Sequence, residues 1–172
     1  ILAEGLLVRR VNIRRLMAFP GTRAYDENTL GRHDRLFRGF KERVRRDFDH
    51  PMISRVFPLG TILRRVIVEV AGATSYGRQM GSYPVLVGIP VPLQAGTVMD
   101  TLVVDWGMRS ITALPYPVDV NRLPPRALAW LPGIGKRRAG ALAAARPIRD
   151  RAAFRAIAGE TPLDWAFSYR GS

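Results

Sequence analysis

The chain has 172 residues, of which 47% are hydrophobic and 24% are charged, with 27 lysines and arginines against 14 aspartates and glutamates. This length leaves room for one or two modest domains with a hydrophobic core, and no apolar run approaches the roughly 20 residues that a membrane-spanning helix needs. The absence of cysteine excludes disulfides, thiolate chemistry and any cysteine-ligated metal or cluster within this chain.

The opening of the sequence carries no signal peptide, because arginines interrupt "ILAEGLLVRRVNIRRL" before a long apolar core forms. We therefore predict a cytoplasmic location and no membrane partner. The sequence begins with Ile1 and not with methionine, which indicates a fragment of a longer protein or a chain whose front is not resolved.

A formal net charge of +13 favours polyanionic partners such as nucleic acid, although a basic proteome or an acidic partner domain would explain the same charge. The charge is uneven along the chain. Residues 1–49 hold 12 cations and 7 anions, residues 50–119 hold 5 and 4, and residues 120–172 hold 10 and 3. The last segment, with a net charge of +7, is where we expect a polyanion to bind.

The first segment, residues 1–49, predicts a strand followed by an amphipathic helix. The stretch "LLVRRVNIRRLMAF" partly alternates and is rich in β-branched residues, which is typical of a strand, and "FPGT" at 19–22 is a turn signal that ends it. A helix capped by Asn28 or Thr29 is expected next, with arginines on its polar face. Its apolar face is predicted to consist of Leu36, Phe37, Phe40, Val44 and Phe48.

The second segment, residues 50–119, predicts a small antiparallel β-barrel, for example of the OB kind, from short runs at 61–70, 83–91, 101–106 and 109–114. We interpret "SYGRQMGSYP" at 75–84 as a loop between strands. Arg78, with Tyr76 and Tyr83 on either side, is there a candidate for contact with single-stranded nucleic acid. A plain loop whose tyrosines pack on the sheet explains the same residues equally well.

The third segment, residues 120–172, predicts three helices. Asn121 is a candidate cap for a helix over "PPRALAWL", in which Pro124 or Pro125 fits the first turn. The loop "PGIG" leads into "KRRAGALAAAR", which Pro147 stops, and a third helix begins after a cap at Asp150 and ends at Gly159.

The loop between the first two of these helices is the strongest functional signal in the chain. Gly133 and Gly135 permit backbone conformations that a Cβ would block, while Ile134 fills the space between the helices. The N–H groups of Gly133 to Gly135 are expected to point outward at the start of a helix, where the helix dipole favours an anion. The following cations, Lys136, Arg137 and Arg138, are placed to reach flanking phosphates.

A helix, "PGIG" and a second helix resemble the helix-hairpin-helix motif. A hairpin of this class grips phosphates without reading bases, although some serve only packing or protein binding. "AIAGETP" at 156–162 stands where a second "GIG" is expected, so we predict one phosphate site and not two.

With the hairpin placed, the whole chain resembles the carboxy-terminal part of archaeal-type radical SAM proteins that end in a helix-hairpin-helix domain. The resemblance is carried by "GLLVRRVNIRRLMAFPGT", "FKERVRRDFDHPMISRVFPLGTILRRVIVE", "GRQMGSYPVLVGIP" and "VNRLPPRALAWLPGIGKRRA". It implies that residues 1–22 form the last strand of a partial TIM-like barrel and that the middle part is similar to the RNA-binding TRAM module. The parent protein would use SAM and a [4Fe–4S] cluster, but the cysteine trio that holds the cluster is missing here, so no cofactor is expected in this chain.

These observations predict an α+β chain with three parts: the end of an upstream barrel with a connecting helix (1–49), a small OB- or TRAM-like barrel (50–119), and an all-α helix-hairpin-helix domain (120–172). No catalytic or metal-binding residue is visible, since His33 and His50 lie in unrelated contexts. The predicted role is sequence-nonspecific binding of nucleic acid, presenting RNA to an upstream radical SAM barrel. The alternatives are a DNA-binding module in repair or recombination and a structural or protein-interaction region.

Overall fold

A computed structural model describes residues 1–8, 11–27, 32–81 and 84–170, and it divides the chain into two compact units, Ile1–Val56 and Phe57–Ser172. The protein is a mixed α+β chain that contains a closed five-stranded barrel. None of the helices in the described ranges has the length and the apolar character that crossing a membrane requires.

The first unit is dominated by one continuous helical segment that ends at Val56. A separate short helix, α1 (Arg23–Asp26), precedes it, and the segment itself consists of α2 (Asp34–Val44), a π-helical turn (Arg45–Asp49) and α3 (His50–Val56). The predicted amphipathic helix is therefore confirmed, but part of its apolar face stays exposed, with Leu36 at 71% and Phe40 at 50%. The predicted caps Asn28 and Thr29 lie outside the described residues.

The prediction of a strand before this helix is wrong. Residues 11–19 have no regular secondary structure, and the described part of this unit contains no strand with which they could pair. Hydrogen bonds to the helical segment are formed instead: the N–H of Val11 donates to Oδ1 of Asp49 at 2.9 Å, and the N–H of Val8, which precedes this stretch, donates to Sδ of Met52 at 3.3 Å. The turn at "FPGT" is present, because the N–H of Thr22 donates to the carbonyl of Phe19 at 3.1 Å.

The second unit begins with the barrel, whose strands close in the order β1-β2-β3-β5-β4. The strands are β1 (Ile62–Val70), β2 (Ser75–Gln79), β3 (Leu86–Ile89), β4 (Val98–Trp106) and β5 (Ser110–Pro115). The barrel was predicted to be antiparallel, but β3 and β5 run parallel. A closed ring with an odd number of strands cannot alternate direction throughout, so one parallel pair is unavoidable.

The predicted loop at 75–84 is wrong at its beginning, because Ser75–Gln79 is strand β2, paired with β1 and β3. Gly77 explains the error, since a glycine inside a strand resembles loop punctuation but here marks a close approach of two backbones. A Cβ on Gly77 would meet the carbonyl oxygen of Ile67 at 2.3 Å. Tyr76 covers Gly88 on the neighbouring strand, where a Cβ would lie 3.5 Å from the tyrosine ring.

A helical tail follows the barrel and packs on it. It contains β6 (Val118–Asp119), α4 (Pro125–Leu128), α5 (Gly135–Ala144), α6 (Arg151–Ala158), a 3-10 turn (Asp164–Ala166) and β7 (Phe167–Ser168), which pairs in parallel with β6. Barrel and tail share one hydrophobic core. Its largest fully buried side chains include Leu102, Leu114, Leu128, Leu131, Leu142, Ile148, Phe154 and Leu163.

The ends of the tail helices test the predicted caps. Asp150 caps α6 as predicted, accepting a hydrogen bond from the N–H of Ala153 at 2.8 Å, and Gly159 ends that helix with a φ of +77°. The predicted cap at Asn121 is wrong, because α4 begins after Pro124. The Asn121 amide instead forms two hydrogen bonds with the backbone of Ile148, at 2.8 and 2.9 Å.

We expect Gly77→Ala to lower the free energy of unfolding by about 1–3 kcal/mol, because a methyl group cannot fit against the Ile67 carbonyl without moving a strand. Urea unfolding followed by circular dichroism measures the change. Gly140→Ala is the matched control: it lies inside α5 with open space around its Cβ, and we expect it to raise stability by about 0.5–1 kcal/mol. Equal effects of the two substitutions would contradict the close approach.

Candidate nucleic-acid interface

The loop Pro132–Gly135, called the PGIG loop below, joins α4 to α5 through two left-handed glycines. The φ angle is +81° at Gly133 and +61° at Gly135, a region in which a side chain is strained. Ile134 between them is only 2% exposed and belongs to the shared core. The predicted backbone conformation of the two glycines and the predicted packing of Ile134 are therefore confirmed.

The backbone N–H groups of this loop were expected to point outward, and only some of them are unpaired among the described residues. The N–H of Ile134 donates to the Leu131 carbonyl at 3.0 Å, so it does not point outward to a ligand as predicted. The N–H groups of Gly135, Lys136 and Arg137 donate to no acceptor in the described part of the chain. They belong to the first turn of a ten-residue helix, where unpaired N–H groups and the helix dipole favour a negative charge.

The three cations after the loop differ in what they contact. The side chains of Lys136 and Arg137 are exposed and have no ion-pair or hydrogen-bond partner among the described residues. Arg138 donates from Nη1 to the carbonyl of Gly133 at 2.7 Å and so stabilises the loop. Lys136 and Arg137 are thus the two cations that can approach a phosphate without giving up a protein contact.

A groove of about 540 Å³ opens next to the PGIG loop, and it is called the Trp130 groove below. It is lined by Pro125, Arg126, Ala129, Trp130, Gly135 and Lys136. Trp130 is 43% exposed, so its indole is accessible from the groove. Sequence reasoning missed Arg126 and Trp130, although a signal existed: Trp130 is out of phase with the buried residues Ala127, Leu128 and Leu131.

The second loop of the tail, between α6 and the 3-10 turn, has a different charge. Arg155 contacts Oε1 of Glu160 at 3.2 Å and Oδ2 of Asp164 at 2.6 Å, and Arg151 lies 3.7 Å from the same Asp164 oxygen. The nearby carboxylates therefore occupy these arginines. The expectation of a single phosphate site stays a prediction, and this difference in charge between the loops favours it.

Arg78, the remaining candidate, lies on β2 and not beside the PGIG loop. Its guanidinium forms an ion pair with the Glu69 carboxylate of β1. Tyr76 is 41% exposed on the same strand, while Tyr83 lies outside the described residues. The six candidates from Gly133 to Arg138 are thus brought together, and Arg78 stands apart on the barrel.

A β-bulge in β1 presents two further arginines of the barrel, Arg64 and Arg65, which sequence reasoning missed. One extra residue separates the pairs Leu63↔Thr101 and Val66↔Met99, and Arg65 adopts a φ of +53°. Asp100 of β4 holds the bulge, accepting from the N–H of Arg65 at 2.9 Å and from Nη1 of Arg64 at 2.5 Å. These bonds to Arg65 and Arg64 hold the pKa of the Asp100 carboxyl below its ordinary value.

The bulge borders a shallow groove of about 420 Å³ on the outside of the barrel. It is lined by Arg64, Arg65, Ile67, Gln79, Met80 and Val98. In the described ranges, no group of three or more histidines, aspartates or glutamates is arranged to hold a metal ion. The side chains that line the two grooves are cationic, polar or apolar, and none of them is anionic.

Comparison with known proteins finds similarity to longer archaeal proteins. An uncharacterized protein of Archaeoglobus fulgidus is 37% identical over 166 residues, which are 95% of this chain and 31% of that protein. An uncharacterized protein of Methanocaldococcus jannaschii is 46% identical over 114 residues, 63% of this chain and 21% of that protein. This chain thus spans less than a third of either relative. No family model and no solved structure matches it.

The lowered pKa of Asp100 predicts how stability depends on pH at the bulge. A depressed carboxyl pKa contributes stability that is present above the unfolded value of about 3.9 and is lost as the pH falls through the folded value. We therefore expect wild type to be more stable than Asp100→Asn at neutral pH, with a difference that shrinks below about pH 4. Urea unfolding across this pH range measures it, with Asp105→Asn on the same strand as control. A difference that persists unchanged at low pH would contradict the role of the carboxylate.

Proposed function

We propose that this chain is the nucleic-acid-binding region of a longer radical SAM protein and that the PGIG loop grips phosphates without reading bases. The observation that carries the proposal is the open first turn of α5, where three unpaired N–H groups stand beside Lys136 and Arg137. This arrangement supports the assignment of α4, the PGIG loop and α5 to the helix-hairpin-helix class.

The chemistry of the loop suits a phosphate diester. A phosphate oxygen accepts hydrogen bonds from backbone N–H groups, and the positive end of the helix dipole adds to the attraction. Two flexible cations at the same helix end can reach neighbouring phosphates along a strand. None of these groups distinguishes one base from another, so the binding is sequence-nonspecific and decreases with salt.

The barrel is the second contact surface in this proposal. A closed five-stranded barrel is the architecture of OB- and TRAM-like modules, and such barrels bind single strands through cationic and aromatic side chains on their outer face. The bulge that presents Arg64 and Arg65, with Met80 exposed beside them, supports a contact on this face. Arg78 remains a candidate there, although its pairing with Glu69 reduces the charge that it offers.

The proposed parent activity lies outside these residues. A radical SAM protein holds a [4Fe–4S] cluster through cysteine thiolates, and the 172 residues contain none, so they do not fit that cofactor. The similarity to relatives more than three times as long supports a parent with further domains. In this proposal the chain holds a nucleic acid, RNA in preference to DNA, while an upstream barrel carries out the reaction.

We expect Lys136→Ala/Arg137→Ala to weaken binding to a 20-nucleotide RNA and to flatten its salt dependence. The slope of log K against log salt should fall by about 1.4 for a single strand and about 1.8 for a duplex, because two phosphate contacts are lost. Fluorescence anisotropy at a series of salt concentrations measures both quantities. The matched control is Arg149→Ala/Arg170→Ala, which removes the same charge at two exposed positions outside the loop.

Three outcomes decide between the candidate functions. Equal losses in the two double variants would assign binding to net charge and contradict the PGIG site. A clear preference of wild type for duplex DNA over RNA at fixed salt would favour the alternative of a repair or recombination module. Absence of salt-dependent binding by wild type would leave a structural or protein-interaction role.

A further inference from the structure

The Trp130 groove combines three features that the phosphate grip does not need. It has an exposed indole, a largely apolar lining, and two exposed cations, Arg126 and Lys136, with no anionic residue among the six that line it. We infer that this groove takes one unpaired nucleotide, whose base stacks on Trp130 while its phosphate lies toward Lys136. This inference rests on the proposed function and narrows its substrate class to strands with an unpaired base.

The charge of the groove limits what can occupy it. A wholly apolar occupant would leave Arg126 and Lys136 without a counter-charge, and a simple anion would leave the indole face exposed to water. A nucleotide offers a flat aromatic face and a negative charge on one small unit. Stacking on indole, with cations on either side, is the usual way in which proteins hold unpaired bases.

The size and position of the groove fit the same occupant. Its volume of about 540 Å³ lies in the range of pockets that hold small organic ligands, which suits one nucleotide. Gly135 and Lys136 line the groove and also begin α5, so the groove is continuous with the open N–H groups of the PGIG loop. A strand that places a phosphate at the loop therefore has its neighbouring base within the groove.

A base within a duplex cannot enter in this way, because both of its faces are stacked on neighbouring pairs. The phosphates of a duplex remain accessible to the PGIG loop. The two parts of the interface thus differ in selectivity: the loop accepts any phosphate backbone, and the Trp130 groove accepts only an unpaired base.

The test compares three probes: a 12-nucleotide adenosine RNA, an abasic strand of the same length and charge, and a 12-base-pair RNA duplex, in which every base is paired. We expect wild type to bind the adenosine strand more tightly than the abasic strand. Trp130→Ala should weaken adenosine binding by about 5- to 150-fold, the usual contribution of one stacked base, and leave the other two affinities unchanged. Trp130→Phe, which keeps an aromatic face, should restore most of the loss.

A second measurement avoids dependence on the alanine variant. In a Trp106→Phe/Trp165→Phe background Trp130 is the single tryptophan, and its fluorescence should be quenched by the adenosine strand and not by the abasic one. Quenching by neither strand, or by both equally, would overturn the inference.

The failures of the two proposals are distinguishable. Salt-dependent binding of the adenosine and abasic strands with equal affinity, unchanged in Trp130→Ala, would refute the nucleotide pocket and leave the phosphate grip intact. Absence of binding to every probe by wild type would refute both.

Discussion

The shared core of barrel and tail is the constraint on which the candidate interface depends. Leu102 and Leu114 of the barrel are fully buried in the same cluster as Leu128, Ile134 and Leu142 of the tail. Since Ile134 is part of that core, the PGIG loop cannot move without disturbing the packing of a closed barrel. The open helix end is thus preorganised, and the entropy of ordering a loop does not have to be met when a ligand binds.

Several arginines of this chain hold parts of the fold together. Arg146 donates to the carbonyls of Val120 and Leu123 at the start of the tail, Arg138 donates to the PGIG loop, and Arg64 holds a carboxylate across two strands. Net charge therefore overstates the number of cations that are free to meet a polyanion. What distinguishes Lys136 and Arg137 from other exposed cations, such as Arg149 and Arg170, is their position beside the unpaired N–H groups at the start of α5.

Local sequence signals predicted the elements that depend on local physics. The strands β1, β3, β4 and β5, the cap at Asp150 and the packing of Ile134 all follow from alternation, capping chemistry or helical spacing. The predictions that failed concern residues whose structure depends on partners far away in the sequence. The first segment has a strand-like pattern but no strand beside it, and Asn121 bonds to Ile148, a residue 27 positions later. Gly77 appeared to be a loop residue because the backbone that approaches it belongs to another strand.

The candidate site also contains residues that the sequence alone could place and residues that it could not. The six residues from Gly133 to Arg138 form one continuous motif, so the sequence alone could place them together. The Trp130 groove could be recognised only in the folded structure, because its lining comes from α4, the residues after that helix and the start of α5. The bulge at Arg65 is invisible to pattern analysis, since its cause is a carboxylate 35 positions further along the chain.

That bulge also adds an arginine to the outer surface of β1 without changing which faces of the strand the following residues occupy. Leu63 and Val66 both face the barrel interior with two exposed arginines between them, so the extra residue resets the alternation of the strand. Loss of either arginine from the chain would remove the bulge and leave Leu63, one arginine and Val66 in regular alternation, so that Val66 and Val68 keep facing the interior. A one-residue deletion here would therefore preserve the barrel wall but remove one of the two adjacent arginines from the outer surface.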